Sequence, residues 1–192
     1  MKKVALIGDS IRMGYQATVR ELLPQAEILS PERNGGDSRN ILANLDEWVI
    51  DLKPDIIHLN CGLHDLKREF ATPEQTQVPL EDYRSNLEMI FRRITEGTNA
   101  TLIWVTTTPV NEDNHHAVKG FDRFAADVDA FNAAALEIAS QFNLPVDDLY
   151  AAVMQAGRDD LLCHDGVHYG EQGYRLLGTT VAEFLRPLLS EP

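Results

Sequence analysis

The sequence predicts an α/β fold, a parallel sheet of about five strands with helices packed on both faces. Three observations carry this expectation. Short apolar, β-branched runs alternate with longer runs of helical period along the whole chain. The run Ile56-Ile57-His58-Leu59 has no polar alternation to mark a solvated face, as in a strand buried on both sides. The chain has 192 residues and 44% hydrophobic content, enough for one medium domain with a sizeable core and too little for two comfortable ones. No internal repeat or low-complexity linker divides it, so residues 1–192 are read as a single domain.

Taken in order, Lys3–Ile7 is a buried first strand that ends at Gly8. Arg12 to Leu23 reads as a helix stopped by Pro24, and Ala26 to Leu29 as a short second strand. Asn34-Gly35-Gly36-Asp37 is a turn. Ser38 can cap the next helix, whose apolar stripe is Ile41, Leu42, Leu45, Trp48, Val49 and Leu52. Asp55 to Asn60 is the third strand. Cys61 to Pro79 has no periodicity and reads as a long loop. Leu80 to Ile94 is a helix with Tyr83, Leu87, Ile90, Phe91 and Ile94 inward, and Thr101 to Thr106 is the fourth strand. Pro109 to Gly120 reads as a second loop and Phe121 to Phe142 as a long helix. Leu144 to Leu149 is a short fifth strand, a helical stretch follows from Tyr150, and Tyr174 to Leu189 closes the chain as a helix.

In a parallel sheet the C-terminal edge is where ligands bind. The predicted elements bring Ser10, Gly36, Gly62 to Asp65, and Asp165 to His168 to that edge. Ser10 sits where a strand turns into a helix, so its hydroxyl can project while its backbone N–H faces a developing anion. It could equally serve as the N-cap of the helix from Arg12. His168 has the residue type of a general base near neutrality, and Asp165, three residues earlier, can orient its ring. Serine, histidine and carboxylate together are the set needed for acyl transfer through a covalent intermediate. Asp159, Asp160 and His164 crowd the same stretch and are local rivals.

The motifs Gly8-Asp9-Ser10, Gly36 followed by Asp37-Ser38, Gly62-Leu63-His64-Asp65 and Asp165-Gly166-Val167-His168 come in this order over nearly the whole chain. In this the chain resembles the SGNH (GDSL-type) hydrolase superfamily. The resemblance implies a flavodoxin-like α/β/α sandwich, no metal or cofactor, and an ester or thioester substrate; the chain is expected to be a serine esterase acting on short-chain, acetyl esters. Ser10, Asp165 and His168 would be catalytic, and Ser10, Gly36 and His64 would form the oxyanion hole. The sequence departs from the family at His64, where the pattern has an Asn whose amide donates to the oxyanion; a neutral imidazole can also donate one N–H. The Gly-Leu-His-Asp form is similar to a subset that includes carbohydrate O-acetylesterases. Asp9, Arg12, Asp65 and Tyr169 are candidate substrate contacts, with Lys67 and Arg68 in the loop after the third strand.

Seventeen basic against 30 acidic residues give a net charge of −13, which argues against nucleic acid or an anionic membrane as partner and permits the small-molecule or saccharide ester that the resemblance implies; the oligomeric state is open. Met-Lys-Lys followed by four apolar residues is too short for a signal-peptide core, and no run approaches the ~18 apolar residues of a membrane span, so a cytoplasmic location is expected. Cys61 and Cys163 make no disulfide framework, though both flank motifs of the active edge and could lie close together. Four other readings are open: a thioesterase or lysophospholipase of the same superfamily; a metal-dependent hydrolase using His115-His116, though no His-Glu-x-x-His spacing occurs; a nucleotide- or flavin-binding module, though no Gly-x-Gly-x-x-Gly loop follows the first strand; and a non-catalytic carbohydrate-binding relative.

Overall fold

A computed structural model describes residues 1–190. Its elements are β1 (Lys3–Ile7), α1 (Ser10–Leu22), β2 (Glu27–Leu29), α2 (Ser38–Ala43), a π-helical turn (Asp46–Ile50), β3 (Ile56–Leu59), β4 (Arg68–Glu69), α3 (Leu80–Gly97), β5 (Thr101–Val105), α4 (Glu112–Val118), β6 (Phe121–Asp122), α5 (Ala125–Gln141), β7 (Val146–Asp147), α6 (Leu149–Ala156), α7 (Arg158–Leu161) and α8 (Glu171–Leu189).

Five strands form one parallel sheet in the order β2-β1-β3-β5-β7. Ala5 pairs with Leu29 on one side and Ile57 on the other, so β1 lies where the strand order reverses. The connections leaving β1 and β3 therefore part on opposite faces, which opens a crevice at their C-terminal ends. β1, β3 and β5 are buried almost throughout because helices cover both faces. On one face α1 packs on α8 and α8 on α6; on the other α3 packs on α2 and α5. The α1–α8 contact is close because Gly14 lies under the Tyr174 ring and Gly178 under Thr18. One cluster of buried apolar side chains runs through sheet and helices. Among the described residues no helix is long and apolar enough to cross a membrane.

Several predicted boundaries need correction. The helix expected from Ser38 through Leu52 stops at Ala43, where the Asn44 side chain donates to Asn40 O (2.8 Å), and a wider turn with Asp51 N–H on Asp46 O (2.8 Å) follows. That turn still buries Leu45, Trp48 and Val49. The supposed loop Cys61–Pro79 contains β4, and the helix expected from Phe121 starts only at Ala125, because Phe121 and Asp122 pair antiparallel with Glu69 and Arg68. The supposed loop Pro109–Gly120 contains α4, capped by the Asn111 side chain. β7 is two residues long, since Asp148 leaves the sheet to cap α6 through Ala151 N–H (3.0 Å).

Candidate active site

The turn from β1 into α1 sets the first residue of the site. Asp9, not Ser10, caps the helix: its Oδ1 accepts the Ile11 N–H at 2.9 Å. Ser10 is thus the first helical residue, held by a capped backbone, and its Oγ lies 2.9 Å from His168 Nε2. On the far side of the ring, His168 Nδ1 lies 2.7 Å from Asp165 Oδ2. An acceptor at Nδ1 keeps the proton there and leaves Nε2 free to take one from Ser10.

Asp165 and His168 face each other because their loop is closed at its base. Leu162 bridges Tyr169, and Cys163 N–H donates to His168 O at 2.7 Å. Inside the loop, Asp165 Oδ1 accepts the N–H groups of Val167 (3.1 Å) and His168 (3.0 Å). Gly166 turns with φ of +70°, and a Cβ there would meet Asn111 O at 2.3 Å, so glycine is required both by the turn and by the approach of α4. Lys119 Nζ reaches Asp165 Oδ2 at 3.1 Å. Burial disfavours the Asp165 charge, but His168, the two backbone N–H groups and Lys119 outweigh it and hold the carboxyl well below the usual range. Of the rival carboxylates, Asp159 is engaged with Arg158 and Asn111.

Ser10 and His168 open onto a cleft of about 220 Å³ whose walls include His64, Asn34, Phe121 and Arg123. A hollow of about 420 Å³ beside Glu32, Glu47 and Trp48 is larger but contains no nucleophile–base pair. Partial burial pushes the His64 imidazole below its ordinary range; Asp9 and Asp37 oppose this, Arg123 and Lys67 reinforce it. A neutral ring facing the cleft offers one N–H. Gly36 has φ of +63°, and its N–H donates to Asn34 Oδ1 at 2.9 Å. An oxyanion at Gly36 therefore has to displace the exposed Asn34 side chain.

Six predicted contacts are corrected or narrowed. Arg12 is buried and faces away from the cleft, donating to Gly8 O, Pro31 O, Arg33 O and Gln16 Oε1, which ties down the loop after β2. Asp65 is buried and accepts the Ser38 N–H (2.9 and 3.1 Å) and hydroxyl, strapping the β3 loop to α2; burial raises its carboxyl to about 7 despite those bonds. Tyr169 is buried against the Tyr174 ring, 5.8 Å between centroids. Asp9 does line the cleft, though its Oδ1 is committed to the cap. Arg68 is held by Asp127 through two bonds, and Lys67 by Glu69 at 2.5 Å. Cys61 is buried, its thiol pushed up by burial, and both cysteines are free. His115 and His116 diverge: the first is buried with Nε2 near Arg123, the second is exposed on Asp122. Among the described residues no three His, Cys, Asp or Glu side chains are grouped to hold a metal ion. The sequence reading missed Arg123, Lys119 and Phe121. Lys119 is the C-cap of α4, Phe121 lies on β6 and Arg123 directly follows it; these elements are too short to produce a periodic signal, although a charged residue beside a predicted helix start could have drawn notice.

The fold recurs in solved structures. A lipase/acylhydrolase from Enterococcus faecalis has a TM-score of 0.82 and 24% identity, with 98% of this chain and 97% of that one covered. Axe2, an acetylxylan esterase from Geobacillus stearothermophilus, has a TM-score of 0.76 and 22% identity over 100% and 95% of the two chains. The acetyl xylan esterase AlAXEase has a TM-score of 0.76 and 18% identity over 95% and 99%. No curated protein sequence matches the chain. Residues 6–176, from the end of β1 into α8, match the family described as GDSL-like Lipase/Acylhydrolase, and the chain belongs to that family.

Proposed function

We propose that this acylhydrolase-family member is a serine esterase that cleaves short-chain esters, acetyl foremost, through an acyl-serine intermediate. The single observation that carries the reading is the continuous line from Ser10 Oγ to His168 Nε2 (2.9 Å) and from His168 Nδ1 to Asp165 Oδ2 (2.7 Å) at the mouth of the cleft. Ser10 Oγ attacks the ester carbonyl as its proton passes to His168 Nε2, and Asp165 steadies the imidazolium. The oxyanion meets the N–H of Ser10, the N–H of Gly36 once Asn34 gives way, and the N–H of His64. The C–O bond to the alcohol then breaks, and the leaving oxygen takes the proton from His168. Water, deprotonated by the same imidazole, attacks the acyl-serine, releases the acid and restores Ser10.

A cleft of about 220 Å³ is small beside ordinary ligand pockets of roughly 300–1,000 Å³, which favours an acetyl over a long acyl chain. The likeness to acetylxylan esterases supports an acylated saccharide as the alcohol side. Hydrolysis of p-nitrophenyl acetate, butyrate and octanoate, with Ser10→Ala alongside, tests the proposal. Activity that falls with chain length and vanishes in Ser10→Ala is expected, and release of acetate from acetylated xylo-oligosaccharides then tests the saccharide. Full activity in Ser10→Ala refutes the reading.

A further inference from the structure

Arg123 is only 5% exposed, yet both hydrogen bonds of its guanidinium to the described residues go to neutral acceptors. Nε donates to Leu63 O at 2.5 Å, and Nη1 lies 3.1 Å from His115 Nε2. His115 is an acceptor there because burial pushes its ring down to about 4, with Arg123 and Lys119 adding to the effect. Arg123 itself, lowered to about 10 mainly by burial, stays protonated at neutral pH. Its ion is packed 5.0 Å from the centroid of the Phe121 ring, another wall of the cleft.

Two consequences follow from the fork. Leu63 O belongs to the peptide whose nitrogen is that of His64, so the Nε bond fixes the turn that aims His64 into the cleft. In a planar guanidinium one Nη2–H runs parallel to the Nε–H, which puts further donor capacity on the edge facing that peptide. A buried charge with no hydrogen-bonded carboxylate among the described residues is costly in the resting protein, although Asp9 and Asp165 act on it from further off. Negative charge does arise beside it during the reaction, on the carbonyl oxygen next to His64. A fixed cation there stabilises the tetrahedral state more than the neutral ester, which is the condition for raising turnover.

We propose that Arg123 is a positioning residue of the oxyanion site: it clamps the Leu63–His64 peptide and holds a fixed positive charge that is met when the oxyanion forms. The inference rests on the Ser10 esterase reading and names a role for a residue outside the motif set.

The test uses the full chain with Arg123→Met, Arg123→Lys and Ser10→Ala on p-nitrophenyl acetate. Arg123→Met should lower kcat by ~10²-fold, the scale of losing one oxyanion donor, with KM changed less than about threefold. Arg123→Lys keeps charge without the fork and should lose roughly tenfold. By NMR the His64 ring should titrate at higher pH in Arg123→Met, because one cation has gone while Asp9, Asp37 and Lys67 remain around it. An undiminished kcat in folded Arg123→Met, even with a lowered melting temperature, overturns the proposal. Should that variant not fold, an undiminished kcat in Arg123→Lys does the same. An inactive wild type, or an active Ser10→Ala, removes the esterase reading and this inference with it, a result distinct from failure at Arg123 alone.

Discussion

Replacing Asp165 by Asn tests the site at its most determined point. The amide has nearly the shape of the carboxylate, and its oxygen can keep the bonds from the Val167 and His168 N–H groups, so the loop should survive. What changes is the other position. In place of the oxygen 2.7 Å from His168 Nδ1 stands an NH2 group, which needs an acceptor there and so forces the ring proton onto Nε2. Nε2 then cannot accept from Ser10. Returning the ring to the useful tautomer loses a charge-assisted bond, ~1.5–3 kcal/mol. The imidazolium formed in the reaction also loses a charge about 4 Å away, worth ~4 kcal/mol at an effective dielectric of 20. Together this is roughly 6 kcal/mol, or about 10⁴-fold in rate at ~1.4 kcal/mol per decade. The assay is kcat for p-nitrophenyl acetate, with the melting temperature of the variant measured alongside to show that it is folded. Asp165→Asn retaining more than about a tenth of wild-type kcat would show that another group orients His168, and the chain of reasoning from loop to tautomer would be wrong.

Asn34→Ala should raise kcat/KM for the same ester about two- to tenfold, because an exposed bond worth ~0.5–1.5 kcal/mol no longer occupies the Gly36 N–H; a fall would mean that Asn34 assists turnover. Gly166→Ala should cost ~1–3 kcal/mol in urea unfolding, given its φ of +70° and a Cβ 2.3 Å from Asn111 O, and should also depress kcat because Asp165 and His168 flank it; wild-type stability would contradict this. Asp65 predicts the sign of a pH effect. Its folded value of about 7 exceeds the ordinary 3.8, so between about 4 and 7 the folded chain keeps a proton that the unfolded chain has lost, and stability falls as pH rises through this window. The Asp65→Asn variant should show a flatter melting profile over that range, and an unchanged slope would assign the effect elsewhere.

Much of this was legible in the chain itself. The unbroken apolar run Val4–Ile7 and the Ile-Ile-His-Leu run of β3 announce strands covered on both faces, and the stripe Tyr83, Leu87, Ile90, Phe91, Ile94 announces α3; all are buried as expected. The spacing of Asp165 and His168 allows one loop to join them, and it does. Less legible were β4 and β6, each two residues long, where no period can register and only a partner across space makes a strand; β7 was expected within Leu144–Leu149 and only its length was overestimated. Side-chain roles were hardest. Arg12 and Asp65 lie within or beside the motifs, but whether a charged side chain faces a substrate or a backbone carbonyl depends on neighbours far along the chain.

Local pattern therefore determined the order of the five sheet strands and the longer helices, the parallel sheet and the family blocks, because periodicity and turn residues act over a few positions at a time. Tertiary structure alone decided that Ser10 meets a histidine 158 residues away, that Asn34 sits on the Gly36 N–H, and that a buried Arg123 grips the peptide of His64. Hydrogen-bond reach is about 3 Å, and no sequence spacing reports a distance of that size between segments that only folding brings together.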